Sequence, residues 1–141
     1  MAETQYPLSK TKFRVEIDGL PELGGWIRVS GLSKRVNNSK HYATHTNTPT
    51  HLPGKVVCGP IRLERTFDQD DSLAKWAFDG AKRPLNGSVI FLDYTGEEAR
   101  RFNWSNGWVS EYDPGEFDAL PDSEGPAIEV IEITVEDIFP G

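Results

Sequence analysis

A chain of 141 residues has the length of one ordinary domain, and 37% hydrophobic with 26% charged residues supports a buried core and excludes a disordered chain. Twenty-two acidic against 15 basic residues leave a formal charge of -7, which disfavours stable binding to nucleic acid phosphates. No apolar run approaches the roughly 18 residues of a spanning helix, the start Met1-Ala2-Glu3-Thr4-Gln5 has no signal-peptide pattern, and a lone cysteine, Cys58, excludes an intrachain disulfide or a cysteine-rich metal site.

In chain order, Lys12-Phe13-Arg14-Val15-Glu16-Ile17-Asp18 alternates polar and apolar side chains, the period of a strand with one dry and one wet face. Trp26–Ser30 reads as a second strand. From Val36 to Pro53, Asn, Thr, Ser, Pro and three histidines dominate, which predicts a long polar loop or extended hairpin over about 37–53. Pro60–Thr66 resumes the alternation, with Ile61 and Leu63 on one face. Asp68-Gln69-Asp70-Asp71-Ser72 then supplies N-cap candidates before Leu73, Trp76, Ala77 and Gly80, whose spacing predicts one helix over about 71–81.

Ser88–Tyr94 has apolar residues in both phases and reads as a strand covered on both sides. Between Arg101 and Tyr112, Phe102, Trp104, Trp108 and Tyr112 fall on even positions. They predict one aromatic-striped strand if Asn106-Gly107 is a bulge, or two short strands if it is a hairpin turn; the single strand is preferred. The last strand, Ala127–Phe139, shifts its apolar phase from Ile128 and Val130 to Ile131 and Ile133, which suggests a bulge near Val130. Many short strands and one helix make a mostly β domain over 1–141, two packed antiparallel sheets forming a barrel or sandwich with a flanking helix.

Charge is unevenly placed. Residues 111 to 141 hold ten acids and no Lys or Arg, so the first 110 carry 15 minus 12, or +3. A solvated acidic face is the plainer reading; a polarised subunit that meets a neighbour head to tail is the sharper one.

Candidate chemistry is thin. His41, His45, His51 and Cys58 have spacings that admit a metal ion, but no H-E-x-x-H, paired cysteine or orienting carboxylate accompanies them, and solvated loop histidines are favoured. No nucleophile elbow and no phosphate-binding glycine loop is present. Neither a catalytic residue, a metal nor a cofactor is therefore expected. The one-sided strands stand out instead: Lys12, Arg14, Glu16 and Asp18, then Arg62, Glu64 and Thr66, then Glu132, Thr134 and Glu136 make wet faces suited to lining a water-filled passage.

The order of these segments resembles a known family. Phe13-Arg14-Val15-Glu16-Ile17-Asp18-Gly19, Val29-Ser30-Gly31-Leu32, Leu52-Pro53-Gly54-Lys55, Ile61–Arg65, Trp76, Asp93-Tyr94-Thr95-Gly96-Glu97, the run Arg101–Trp108, and Glu129–Ile133 are similar to the tail tube proteins of contractile phage tails and phage-like injection systems. The resemblance implies hexameric rings stacked into a hollow tube that conducts a payload of effector protein or DNA. It implies as partners other copies of the chain, a surrounding sheath, baseplate and tube-capping proteins, without stable nucleic-acid binding or membrane insertion. By the same resemblance, residues 37–53 would reach an adjacent ring or subunit through His41, Tyr42, His45 and Leu52, and Lys12, Arg14, Glu16, Asp18, Arg62, Glu64, Glu132, Thr134 and Glu136 would face the lumen. Assembly would take place in the bacterial or host cytoplasm. A monomeric all-β binding module, with Trp104 and Trp108 at a carbohydrate or protein surface, is the alternative.

Overall fold

A computed structural model describes residues 7–42, 49–79, 83–120 and 125–141, with 37–42 and 49–53 described as backbone. The elements are β1 (Phe13–Ile17), β2 (Trp26–Ser30), β3 (Lys34–Tyr42), β4 (Pro49–Cys58), β5 (Ile61–Thr66), α1 (Ser72–Phe78), β6 (Leu85–Leu92), β7 (Glu98–Asp113), β8 (Ile128–Thr134) and β9 (Asp137–Pro140). Among the described residues every strand pair is antiparallel.

β7 organises the domain. Its first part, through Gly107, pairs with β6, and β6 pairs with β1; on its other side Phe102–Ser105 pairs with β9. Its last part, Trp108–Asp113, pairs with β8, which pairs with β5, which pairs with β2. The result is two four-stranded layers: a first of β1, β6, β7 and β9, and a second of β2, β5, β8 and β7. Among the described residues the path ends at β1 and β2 without pairing them, so the layers form an open sandwich rather than a closed barrel. Strands that pass from one layer to the other make the corner.

The corner is built from small and bent residues. Asn106 has φ 48°, the left-handed conformation that Asn tolerates better than most residues. Its amide N–H donates to Asn86 Oδ1 at 2.9 Å, and its Nδ2 donates to Glu136 Oε2 at 2.5 Å. The Trp104 indole lies over Gly87 and Gly107 so closely that a Cβ on either glycine would run into the ring, and its Nε1 donates to the Leu85 carbonyl at 3.1 Å.

Both layers share one core. Val15, Ile17, Val89 and Trp104 from the first meet Ile61, Leu63, Val109, Ile131 and Ile133 from the second, with Leu73 and Trp76 added by α1. Burying each aliphatic side chain contributes about 1.5–3 kcal/mol. The helix is short because only one turn of its pattern, Leu73 and Trp76, is buried; Asp70 Oδ1 accepts from the Ser72 amide at 2.9 Å, and Trp76 Nε1 donates to the Arg83 carbonyl at 2.8 Å. Residues 80 and 81, which the predicted helix includes, lie outside the described residues.

Three expectations change. The aromatic stripe of β7 does not stay on one face: Asn106 reverses the phase, so Trp104 is buried, Gly107 and Val109 follow it inward, and Trp108 turns to the opposite side. A second register shift between Val109 and Glu111 brings Tyr112 back inward. No bulge interrupts β8, whose pairing with β5 runs unbroken from Ile128 to Ile133; instead Glu129 points into the interior. In β6, Ile90 is buried outside the common core and pairs across to Arg14 and Arg101, so the second covering of that strand is local.

Candidate assembly surface

The wet faces read from the sequence fall on two layers. In β1, Val15 and Ile17 are buried while Arg14 and Glu16, 3.6 Å apart, lie on the outer side of the first layer, with Lys12 and Asp18 exposed at its ends. In the second layer, Arg62 pairs with Ser30 and Glu132, Glu64 with Arg28 and Val130, Glu132 with Glu111, and Thr134 with Trp108. The structure thus brings Arg62, Glu64, Glu132 and Thr134 onto one outer face, where Arg28 Nε lies 3.3 Å from Glu64. It leaves Lys12, Arg14, Glu16 and Asp18 on the other. Glu136 sits at the corner, bound by Asn106. The wet faces expected to line one water-filled passage therefore fall on two surfaces divided by the core.

The second layer ends in backbone. β2 is paired only with β5, and the stretch Trp108–Asp113 only with β8, so among the described residues each presents a free strand edge. Exposed edges of this kind template pairing with another chain.

The polar segment after β2 is a hairpin, longer than expected. Lys34 pairs with Cys58, His41 with Thr50, and Tyr42 with Pro49, with one irregularity between Val36 and Asn38. Beyond its base the arm is paired strand to strand; Val36 and Val56 are exposed, while Cys58, and Leu32 just before the arm, pack against the core. The base is fixed. Gly31, at φ 82°, approaches Pro60 so closely that a Cβ would strike the Pro60 carbonyl, and Gly59 donates its amide to the Ser33 carbonyl at 2.9 Å. Lys34 Nζ donates to Asp137 Oδ1 at 2.9 Å. That bond is the leading reason Asp137 is held below, and Lys34 above, their ordinary values. His41, Tyr42 and Leu52 lie in the paired strands, and His45 lies outside the described residues.

Sequence reasoning missed a buried polar cluster under the far end of the second layer. Arg65, 2% exposed, donates from Nη1 to Glu129 Oε1 at 2.5 Å, from Nη2 to Asp68 Oδ2 at 2.8 Å, and from Nε to the Gly24 carbonyl at 3.0 Å. Tyr112 Oη donates to Glu129 Oε2 at 2.7 Å, and burial with this bond pushes the phenol above its ordinary value. The signal available was that Arg65 and Glu129 occupy inward positions, Arg65 in step with Ile61 and Leu63. Among the described residues no buried side-chain polar atom lacks a partner, so the cluster is a closed structural unit. Nor do those residues contain three His, Cys, Asp or Glu placed to share a metal ion.

The family profile described as T4-like virus tail tube protein gp19 matches residues 9–138. The chain belongs to that family. Solved structures share the fold: a chain of the sheath–tube complex of the PVC extracellular contractile injection system in its extended state is 20% identical, with TM-score 0.82 over 97% of this chain and 93% of that one. A chain of the anti-feeding prophage tube-terminating cap is 18% identical, with TM-score 0.83 over 100% and 95%. Hcp1 from Flavobacterium johnsoniae is more distant, 17% identical with TM-score 0.62 over 92% and 94%. A comparison with curated proteins found no match. Within this tail tube family the chain is a structural component of a phage tail or contractile injection particle.

Proposed function

We propose that six copies of this tail tube protein close into a ring, that rings stack into a hollow tube, and that the tube carries a payload without chemical conversion of it. The observation that carries this reading is the second layer: four strands, a polar outer face, and a free backbone edge at each side. Joining β2 of one copy to Trp108–Asp113 of the next satisfies both edges and, repeated around a closed ring, forms one continuous barrel. The outer face of that layer then lines the bore, which assigns Arg62, Glu64, Glu132 and Thr134 to the lumen. Lys12, Arg14, Glu16 and Asp18 face the opposite side, toward a surrounding sheath, and Glu136 stays at the corner. The arm extends from one end of the lining layer to meet a neighbouring copy, and baseplate and cap proteins meet the tube's two ends.

The binding-module reading loses its ligand surface, because Trp104 is 1% exposed and occupied with Gly87, Gly107 and the Leu85 carbonyl, so it and Trp108 do not share a face. Electron microscopy and light scattering of concentrated purified protein test the tube reading. Rings or tubes are expected; particles of one subunit at every concentration overturn it.

A further inference from the structure

The arm and an apolar groove lie at opposite ends of the same layer. The arm leaves where β2 ends and β5 begins, beside Asp137. At the other end, where β5 and β7 finish and β8 begins, a groove of about 390 Å³ runs between α1 and the chain after β7. Its walls carry Phe67, Phe78, Tyr112 and Phe117. Phe78 is 83% exposed and Phe117 62%, an unusual solvent exposure for large rings standing together. The rings are already paired, Phe67 with Phe117 at 5.3 Å between centroids and Phe78 with Tyr112 at 6.0 Å, so little ordering remains to be done on binding.

Charge identifies the occupant. Among the described residues the groove lining contains Asp68, Asp70, Asp71 and Glu129 and no cation. Arg65 behind it is shared between Glu129 and Asp68, and Lys75 lies 3.5 Å from Asp71, so among the described residues four acids face two cations and the mouth stays acidic. The arm has the opposite character: residues 34–58 include Lys34, Arg35, Lys40 and Lys55 and not one Asp or Glu. Its β3 strand of nine residues spans about 30 Å, against about 20 Å for the six of β5, so the arm is longer than the layer it leaves. We infer that the groove between α1 and the segment after β7 receives the basic β3–β4 arm of a second copy stacked on it. Aromatic rings supply the apolar floor and the carboxylates fix which surface of the arm turns inward. The inference rests on the tube reading and names the receiving site for the arm.

The test uses the purified full chain, so that no other protein is present. Three variants are compared with wild type by electron microscopy and sedimentation: Phe78→Ala with Phe117→Ala, a Gly-Ser linker in place of residues 38–50, and the combination. Circular dichroism checks that each is folded, as the exposure of both rings leads one to expect. The expected result is intact rings in all three, with sedimentable tube reduced at least about tenfold by either change, equivalent to about 1.4 kcal/mol per contact. The combination should be no worse than either alone, as for two halves of one contact. Normal tubes from the double Phe variant, with tubes lost on shortening the arm, overturn the groove assignment and leave the tube reading standing. Loss of rings in the Phe variant also overturns it, by placing the groove in the ring seam. Wild-type rings that never stack overturn it as well, since arm and groove are both present. Wild-type monomers at all concentrations overturn the tube reading itself.

Discussion

Arg65 is surrounded by acceptors: Glu129, Asp68 and the Gly24 carbonyl take its donors, and the Trp26 ring lies 5.8 Å from its guanidinium carbon. Bringing that cation out of water is costly, and the partners repay it only as a complete set. Removing Glu129 alone leaves the guanidinium short of a buried counter-charge, so Glu129→Leu is expected to destabilise by about 3 kcal/mol in urea titration. Replacing both, Arg65→Met with Glu129→Leu, should recover most of that loss. A double variant as unstable as the single one would mean that the pair stabilises the fold outright. Tyr112 ties the cluster to the groove, since its ring touches Phe78 while its hydroxyl holds Glu129.

At the scale of elements, the corner of β7 depends on space that glycine leaves. Gly87 and Gly107 form the bed for Trp104, so Gly87→Ala is expected to cost about 1–3 kcal/mol through overpacking of a ring that has nowhere to go, seen as a fall in the thermal midpoint. Gly96 is the contrast. It has φ 87° with open space around it, so Gly96→Ala should cost only the backbone penalty of about 1 kcal/mol. Most strands were legible in the sequence because burial follows alternation, as in Phe13–Ile17 and Ile61–Thr66. Alternation failed where a polar side chain points inward. The shift from Ile128 and Val130 to Ile131 resembles a bulge only if Glu129 must face water, and its partner, Arg65, is 64 residues away. The Trp108 reversal was hidden for a related reason, because a single left-handed residue changes the phase of everything after it. The wet faces were correctly polar, but which layer each strand joins is decided by pairing across the chain, which side-chain periodicity does not record.

At the scale of the whole molecule, the ion pair of Lys34 with Asp137 at the base of the arm makes the arm sensitive to pH. Asp137 is depressed below its ordinary 3.8, so its contribution is present above that value and lost as pH falls through the lower folded value. Lys34 is raised above 10.5, so its contribution is present below that value and lost as pH rises beyond it. The base of the arm should therefore be tied between about pH 4 and 10 and released toward acid. Amide exchange of β3 and β4 is expected to speed up as pH falls below 4, after correction for intrinsic exchange. Asp137→Asn should exchange as fast at neutral pH as the parent does in acid; unchanged exchange in that variant would show that Gly31 and Pro60 hold the arm without the ion pair.

The sixteen residues of β7 belong to both layers, and β8 passes into β9 alongside them. Tension applied to either layer therefore travels through covalent backbone into the other instead of peeling the two apart. Such a subunit yields as a unit rather than layer by layer, a property that the tube proposed above would share along its length.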